Sequence, residues 1–142
     1  MANAVPLTLP LQLTKSKHLI CQLFVNGISG WFLIDTGASN SCLDEKCSDK
    51  FLVARQGKEL PLTGAGKEKL SAFESQQSTV GTQEKVFAHL AFMLIDMETI
   101  NMALIDQGSD PIDGIIGADL LRDKKAIIDY QHSRLQLPNA LP

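Results

Sequence analysis

The sequence feature that most constrains the fold is an apolar run that leads directly into an acid. Residues 31–34, Trp-Phe-Leu-Ile, stand immediately before Asp35, and a threonine, a glycine and an alanine follow it. Such a run predicts a buried β-strand, and a carboxylate at the end of a buried strand is unfavourable unless it has partners or takes part in chemistry. The small residues after it leave room for another segment to come close. We therefore expect a strand that ends at Asp35, whose carboxylate either caps the following loop or takes part in chemistry.

The residues before this run also have the pattern of β-strands. Pro6 and Pro10 remove two backbone donors from the first strand, so this strand is expected at a sheet edge or in an interface. Residues 18–25 predict a second strand, which the turn Asn26–Gly27 joins to the apolar run. The first strand has a period of two, which predicts one face that carries Val5, Leu7, Leu9, Leu11 and Leu13.

The rest of the chain predicts further strands. Residues 85–97 are a long apolar stretch that suits a central strand, and residues 126–137 suit a closing hairpin. Residues 60–75 predict two extended segments with a glycine-containing tip between them. Gly64 and Gly66 would supply the positive φ angles that a tight, mobile tip needs.

Helices are predicted to be few and short. One is expected directly after Gly117 and another within residues 44–53, whereas residues 98–108 fit either a helix or a strand. Residues 138–142 are expected to form a loose tail. The sequence therefore predicts an all-β fold with one or two short helices, in a single domain over residues 1–142.

Charge and cysteine content narrow the possible partners. The formal net charge is -3, no dense basic cluster is present, and no apolar run approaches membrane-spanning length. We therefore expect neither a nucleic-acid partner nor a membrane. The N-terminal residues do not resemble a signal peptide, and an odd number of cysteines indicates reduced thiols, so a cytoplasmic location is expected. Three acids, Asp106, Asp110 and Asp113, are interpreted as a solvated loop, and no metal or cofactor is expected.

Two sequence blocks together resemble a known family. The first is "FLIDTGAS", and the second, near the end of the chain, is "IDGIIGADLL", in which apolar residues and a glycine precede a short helix. In this combination the chain resembles the retropepsin-like aspartic proteases, in the branch of single-domain cellular and bacterial members. The resemblance implies a peptidase without cofactor or metal that hydrolyses peptide bonds in a peptide or protein substrate. Because Asp-Thr-Gly occurs once, it also implies a homodimer in which two copies of Asp35 form the catalytic dyad.

The resemblance assigns roles to further residues. Thr36, Gly37 and Ala38 would support the active site, and the backbone of Gly37 and Ala38 would contact the substrate. Residues 60–75 would form a flap that closes over the peptide, with a substrate-binding tip of Gly64, Ala65 and Gly66. In the second block, Ile115 and Ile116 would pack beneath the active-site loop and Gly117 would start the helix.

The chain also departs from the pattern of viral members of this family. Ser39 and Asn40 stand where many viral enzymes have acids that contact the substrate, and Ala118 stands where they often have an arginine. Asp113 and Asp119 are interpreted as a turn residue and as an acid favoured by the helix dipole. An alternative function is therefore a catalytically weak or inactive dimerisation or peptide-binding module that retains the loop.

Overall fold

The computed structural model describes residues 5–63 and 69–141, which form eleven strands, two α-helices and one 3-10 turn. The N-terminal elements are β1 (Val5–Pro10), β2 (Gln12–Leu13), β3 (Leu19–Val25), β4 (Ile28–Ile34), β5 (Cys42–Asp44) and the 3-10 turn Glu45–Cys47. The middle elements are β6 (Arg55–Thr63), β7 (Lys69–Gly81), β8 (Val86–Ile95) and α1 (Glu98–Asp106). The C-terminal elements are β9 (Gly114–Ile116), α2 (Ala118–Asp123), β10 (Ile127–Asp129) and β11 (Arg134–Leu141).

The strands form two sheets, which confirms the all-β prediction. The larger sheet has the order β2-β3-β4-β9-β5-β8-β7-β6, and an additional pairing of β3 with β7 brings distant parts of it together. Within it, β4 and β9 run parallel, as do β5 and β8. The smaller sheet has the order β1-β11-β10. The stretch 85–97 does supply a central strand, because β8 lies between β5 and β7.

The hairpin of β3 and β4 forms as predicted. Asn26 and Gly27 have φ angles of 50° and 81°, and a two-residue turn with two positive φ angles matches the twist of the paired strands. Burial alternates along β3, but Phe32, Leu33 and Ile34 at the end of β4 are all buried. This continuous burial follows from the position of β4 inside the sheet, with β3 on one side and β9 on the other.

The terminal strands differ from the predictions in two places. Residues 138–141 are not a loose tail, because β11 continues to Leu141 and Ala140 is completely buried. Between the pairs Leu7↔Leu137 and Val5↔Leu141 the register shifts, and this irregularity accommodates Pro138. Leu13 is 61% exposed rather than buried, because the chain leaves the small sheet after Pro10 and enters the large one at β2. The edge position predicted from Pro6 and Pro10 is confirmed, since β1 ends the order of its sheet.

The structure also shows which of the predicted helices form. Residues 98–106 form helix α1, and α2 starts directly after Gly117 as expected. The short helix predicted within residues 44–53 is a 3-10 helix of 3 residues, Glu45–Cys47, and turns follow it. Leu52 has a φ angle of 57°, a left-handed conformation that a continuing helix does not allow. Neither helix in the described part of the chain is long and apolar enough to cross a membrane.

Two apolar clusters fill the interior. The main core includes Phe32, Phe92 and Leu135, so it joins the large sheet to the small one. A second, smaller cluster contains Leu33 and Ile115 from the paired strands β4 and β9, and Leu104 from α1. Ala38 and Cys42, which belong to the segment that follows Asp35, pack against this second cluster. The cluster therefore lies under the segment that carries the predicted site.

Candidate active site

The position of Asp35 is set by the parallel pairing of β4 with β9. In this pairing Ile34 lies opposite Ile116, and the backbone N–H of Asp35 donates to the carbonyl of Ile116 at 2.9 Å. Asp35 is therefore the first residue after the buried strand, and its backbone is still held by the neighbouring strand. A backbone hydrogen bond thus joins the "GIIG" segment to the active-site loop. Of the two isoleucines expected beneath this loop, Ile115 belongs to the cluster against which Ala38 packs, and Ile116 belongs to the main core.

The loop after Asp35 turns tightly around the carboxylate. The N–H of Gly37 donates to Asp35 Oδ1 at 2.9 Å, and the N–H of Ala38 donates to the Asp35 carbonyl at 3.2 Å. Within the described residues, Oδ2 of Asp35 has no hydrogen-bond partner. Asp35 is half-buried, whereas Thr36 and Gly37 are exposed. The arrangement fixes one oxygen of the carboxylate and presents the other outward.

A buried serine joins this loop to the start of α2. Ser41 is completely buried, and its hydroxyl donates to Asp119 Oδ1 at 2.7 Å and accepts from the N–H of Gly117 at 2.9 Å. The N–H of Ser41 donates to Asp119 Oδ2 at 2.9 Å. The N–H of Ala118 donates to the carbonyl of Ala38 at 2.7 Å. Four hydrogen bonds therefore hold the end of the Asp35 loop against the helix.

Gly117 is required by this close approach. A Cβ atom at Gly117 would lie 2.6 Å from the carbonyl oxygen of Ala38, a backbone atom that cannot move away independently. The resemblance had assigned Gly117 to the helix start, and the structure places it as the residue that precedes α2. Sequence reasoning missed Ser41 and interpreted Asp119 only as an acid favoured by the helix dipole, because the two residues that make this contact are 78 positions apart.

Open grooves flank the Asp35 loop. One has a volume of about 320 Å³ and contains Asp35 itself. A second, of about 510 Å³, lies beside Ser39 and Ala118, and a third, of about 260 Å³, lies between Thr36 and Lys125. The residues that line the Asp35 groove are Lys17, His18, Leu19, Leu33, Ile34, Asp35, Thr36, Ile128 and Tyr130.

Cys42 is a further residue near the site that sequence reasoning did not place there. Burial, with smaller contributions from the charges of Asp119 and Asp35, raises the pKa of Cys42 to about 11. Burial likewise raises the pKa of Cys21 to about 12 and that of Cys47 to about 11. The thiols are therefore protonated near neutral pH, which makes them poor nucleophiles.

The residues predicted to form the flap are described only in part. Residues 60–63 and 69–75 form paired arms of β6 and β7, up to the pair Thr63↔Lys69. The expected tip, Gly64, Ala65 and Gly66, lies outside the described residues.

Asp113 accepts a hydrogen bond from the N–H of Trp31 at 2.9 Å and pairs with Lys50 at 3.4 Å, away from Asp35. In residues 5–63 and 69–141, no group of three or more potential metal-ligating side chains comes together.

Solved structures of three proteins share this fold. A retropepsin-like aspartic protease from Rickettsia conorii is 19% identical, with 95% of this chain and 91% of that chain covered and a TM-score of 0.58. The retroviral protease-like domain of Ddi1 from Leishmania major is 20% identical, with 90% and 91% covered and a TM-score of 0.61. The EIAV protease in complex with the inhibitor HBY-793 is 21% identical, with 80% and 93% covered and a TM-score of 0.53.

The fold is therefore that of the retropepsin-like aspartic proteases, as the two sequence blocks predicted. A model of the aspartyl protease family matches residues 21–120, a range that contains both the Asp35 loop and the start of α2, and the chain belongs to this family. A comparison with curated proteins found no match.

Proposed function

We propose that this protein is an aspartic endopeptidase that hydrolyses peptide bonds as a homodimer. The observation that carries the proposal is the geometry of Asp35. Its carboxylate stands at the open end of a buried strand, with Oδ1 held by the N–H of Gly37 and Oδ2 free of any partner among the described residues. A carboxylate of this kind is oriented for chemistry, and the grooves beside it give a peptide access.

The chemistry needs a second carboxylate, which Asp35 of the partner subunit would supply. Two carboxylates at hydrogen-bonding distance share one proton, because their like charges oppose simultaneous ionisation. The charged member takes a proton from a water molecule bound between them, and the water oxygen attacks the carbonyl carbon of the peptide. The protonated member gives its proton to the carbonyl oxygen. The tetrahedral intermediate then transfers a proton to the leaving nitrogen, the C–N bond breaks, and the dyad again holds one proton.

The neighbouring residues have supporting roles in this proposal. The hydroxyl of Thr36, on the exposed part of the loop, would hydrogen-bond across the dimer axis. The exposed backbone of Gly37 and the small side chain of Ala38 would leave room for the substrate backbone. The arms of β6 and β7 would carry a flap that closes over the bound peptide and excludes water. We also propose a cytoplasmic location, which the three free thiols support.

The test is cleavage of a mixed peptide library from acid to neutral pH, with products identified by mass spectrometry. We expect wild-type protein to cleave and Asp35→Asn to be inactive, because an amide can neither take the proton from water nor share one with a carboxylate. Asp106→Asn is the matched control, since Asp106 undergoes the same change in an exposed position at the end of α1. Equal activity of Asp35→Asn and wild type would refute the mechanism. Absence of cleavage by folded, dimeric wild type at every pH would favour the peptide-binding module instead.

A further inference from the structure

The groove that contains Asp35 has a cationic wall. Its floor is formed by Asp35 and the apolar end of β4, and Ile128 and Tyr130 lie on the side of β10. Lys17 and His18, from the connection between β2 and β3, also line the groove. Asp35 is the single acid among the lining residues, and the described residues form no ion pair with Lys17 or His18. The ammonium group of Lys17 therefore offers a positive charge to the groove without an ion pair among the described residues.

The connection that carries these side chains is a well-defined turn. The N–H of Thr14 donates to the carbonyl of His18 at 2.8 Å, and the N–H of Lys17 donates to the carbonyl of Thr14 at 3.0 Å. Lys17 has a φ angle of 67°, which is the left-handed residue expected in a three-residue hairpin turn. The N–H of His18 also donates to the hydroxyl of Thr14 at 3.0 Å. The backbone under the two side chains is therefore fixed by hydrogen bonds.

A network of hydroxyl groups orients His18. Nδ1 of His18 lies 2.8 Å from the hydroxyl of Ser16, which lies 2.9 Å from the hydroxyl of Ser109 and 2.7 Å from that of Thr14. Ser109 follows α1, so the network ties the turn to a second element of the fold. Nε2 is the ring nitrogen without a partner among the described residues, and it can donate to a ligand in the tautomer whose Nδ1 accepts from the Ser16 hydroxyl.

We propose that Lys17 and His18 form a subsite that selects a glutamate side chain of the substrate close to the scissile bond. This inference rests on the proposed function, because it assigns a specificity to the same groove. A carboxylate would accept hydrogen bonds from the ammonium group of Lys17 and from Nε2 of His18. Leu33 and Ile128 would contact the aliphatic part of the glutamate side chain. Glutamine has the same shape without the charge, so it is the matched comparison.

The experiment uses peptide pairs that carry either Glu or Gln at each position around the scissile bond. The full-length protein is compared with Lys17→Gln and His18→Gln at about pH 6, where a free glutamate is ionised. We expect wild type to prefer Glu at one position by roughly fivefold in kcat/KM, which is typical of partly exposed charge pairs, and each variant to reduce this preference. Added salt should reduce the wild-type preference as well.

Lys15→Gln is the matched control variant. Lys15 belongs to the same turn and carries the same charge, but its side chain packs over Gly108 and does not line the groove. Its preference for Glu should equal that of wild type. Circular dichroism and sedimentation velocity of Lys17→Gln and His18→Gln check separately that these variants are folded and dimeric.

The outcomes separate this inference from the proposed function. If wild type cleaves Glu and Gln peptides equally at every position, or if Lys15→Gln loses the preference as Lys17→Gln does, the subsite is refuted and the peptidase stands. If wild type cleaves no peptide, the proposed function fails. Binding of the same Glu and Gln peptides, now carrying a fluorescent label, then decides whether the subsite exists. Tighter binding of Glu peptides that Lys17→Gln abolishes would support it, and equal or undetectable binding would overturn it.

Discussion

At the scale of single residues, Ser41 does more for the site than its type and position suggest. A buried hydroxyl group needs hydrogen-bond partners, and Ser41 has one on each side, Asp119 as acceptor and the N–H of Gly117 as donor. These contacts connect the loop that begins at Asp35 with the helix that begins at Ala118. The end of the Asp35 loop is thus held by a residue that does not line the Asp35 groove.

Replacement of this serine should destabilise the protein. In Ser41→Ala, the N–H of Gly117 loses its acceptor and Asp119 loses a donor, which should lower the free energy of unfolding by about 1–3 kcal/mol. Urea denaturation followed by fluorescence measures this difference. Ser78→Ala is the control, because Ser78 is also buried but lies in β7, outside the contacts of Ser41 with Asp119 and Gly117. Equal losses in the two variants would contradict the bridging role of Ser41.

The sequence predicted some site residues and not others for a physical reason. Asp35 and Gly117 stand inside short motifs, in which the neighbouring residues already indicate a strand end or a helix start. Ser41 and Asp119 act as a pair across 78 positions, and local spacing carries no information on such a contact. The groove residues are a similar case, since Lys17 and Tyr130 belong to separate turns that only the folded chain brings to Asp35.

At the scale of elements, the turn between β10 and β11 contains a charged cluster. The carboxylate of Asp129 accepts from the N–H of His132 at 3.1 Å and lies 2.8 Å from His132 Nδ1. Nε of Arg134 donates to the same carboxylate at 3.2 Å. The hydrogen bonds and charge of His132, with a smaller contribution from Arg134, outweigh desolvation and hold the pKa of Asp129 below its ordinary value.

This lowered pKa predicts a dependence of stability on acid pH. A carboxylate whose pKa is lower in the folded state stabilises the fold above the unfolded pKa of Asp, about 4, and loses this contribution as pH falls through the folded value. The difference in Tm between wild type and Asp129→Asn should therefore be largest above about pH 5 and shrink below about pH 4. Scanning calorimetry over this range measures it, with Asp106→Asn as control. A difference that stays constant into strong acid would contradict the prediction.

The sequence predicted strands correctly where the strands that they pair with are close in sequence. The β3–β4 hairpin follows from Asn26 and Gly27, because these two residues favour the turn that pairs the strands on either side. The end of β11 was not predictable, because its partner is β1 at the opposite end of the chain and a register shift interrupts the pairing. Helix α1 was undecided because Met102 and Ile105 are exposed, so its apolar residues do not define one buried face.

At the scale of the whole molecule, the proposed dimer must form on the face that carries Asp35. The strands β1 and β11 pair with each other within one chain. The fold class follows from the strand pattern and from the two motifs, but the pairing of the ends does not. Folding of the subunit is therefore expected to be independent of association.

Activity should depend on protein concentration while the fold does not. On dilution below the dissociation constant of the proposed dimer, the specific activity should fall in proportion to concentration, because each proposed active site would need Asp35 from two chains. Sedimentation velocity and activity assays at matched concentrations measure this, and circular dichroism should show unchanged strand content. Constant specific activity in samples that contain monomer alone would contradict the shared site.

The pairing of Val5 with Leu141 has a consequence for rearrangement of the chain. The two ends of the described structure lie side by side, so they can be joined by a short peptide and the ring reopened elsewhere, or the whole unit can be inserted into a surface loop of a host protein. The exposed turn at residues 83–85 is a suitable place to reopen it. The order in which the strands are synthesised could thus be permuted, whereas Asp35 would keep its place, since that place is set by its spatial neighbours.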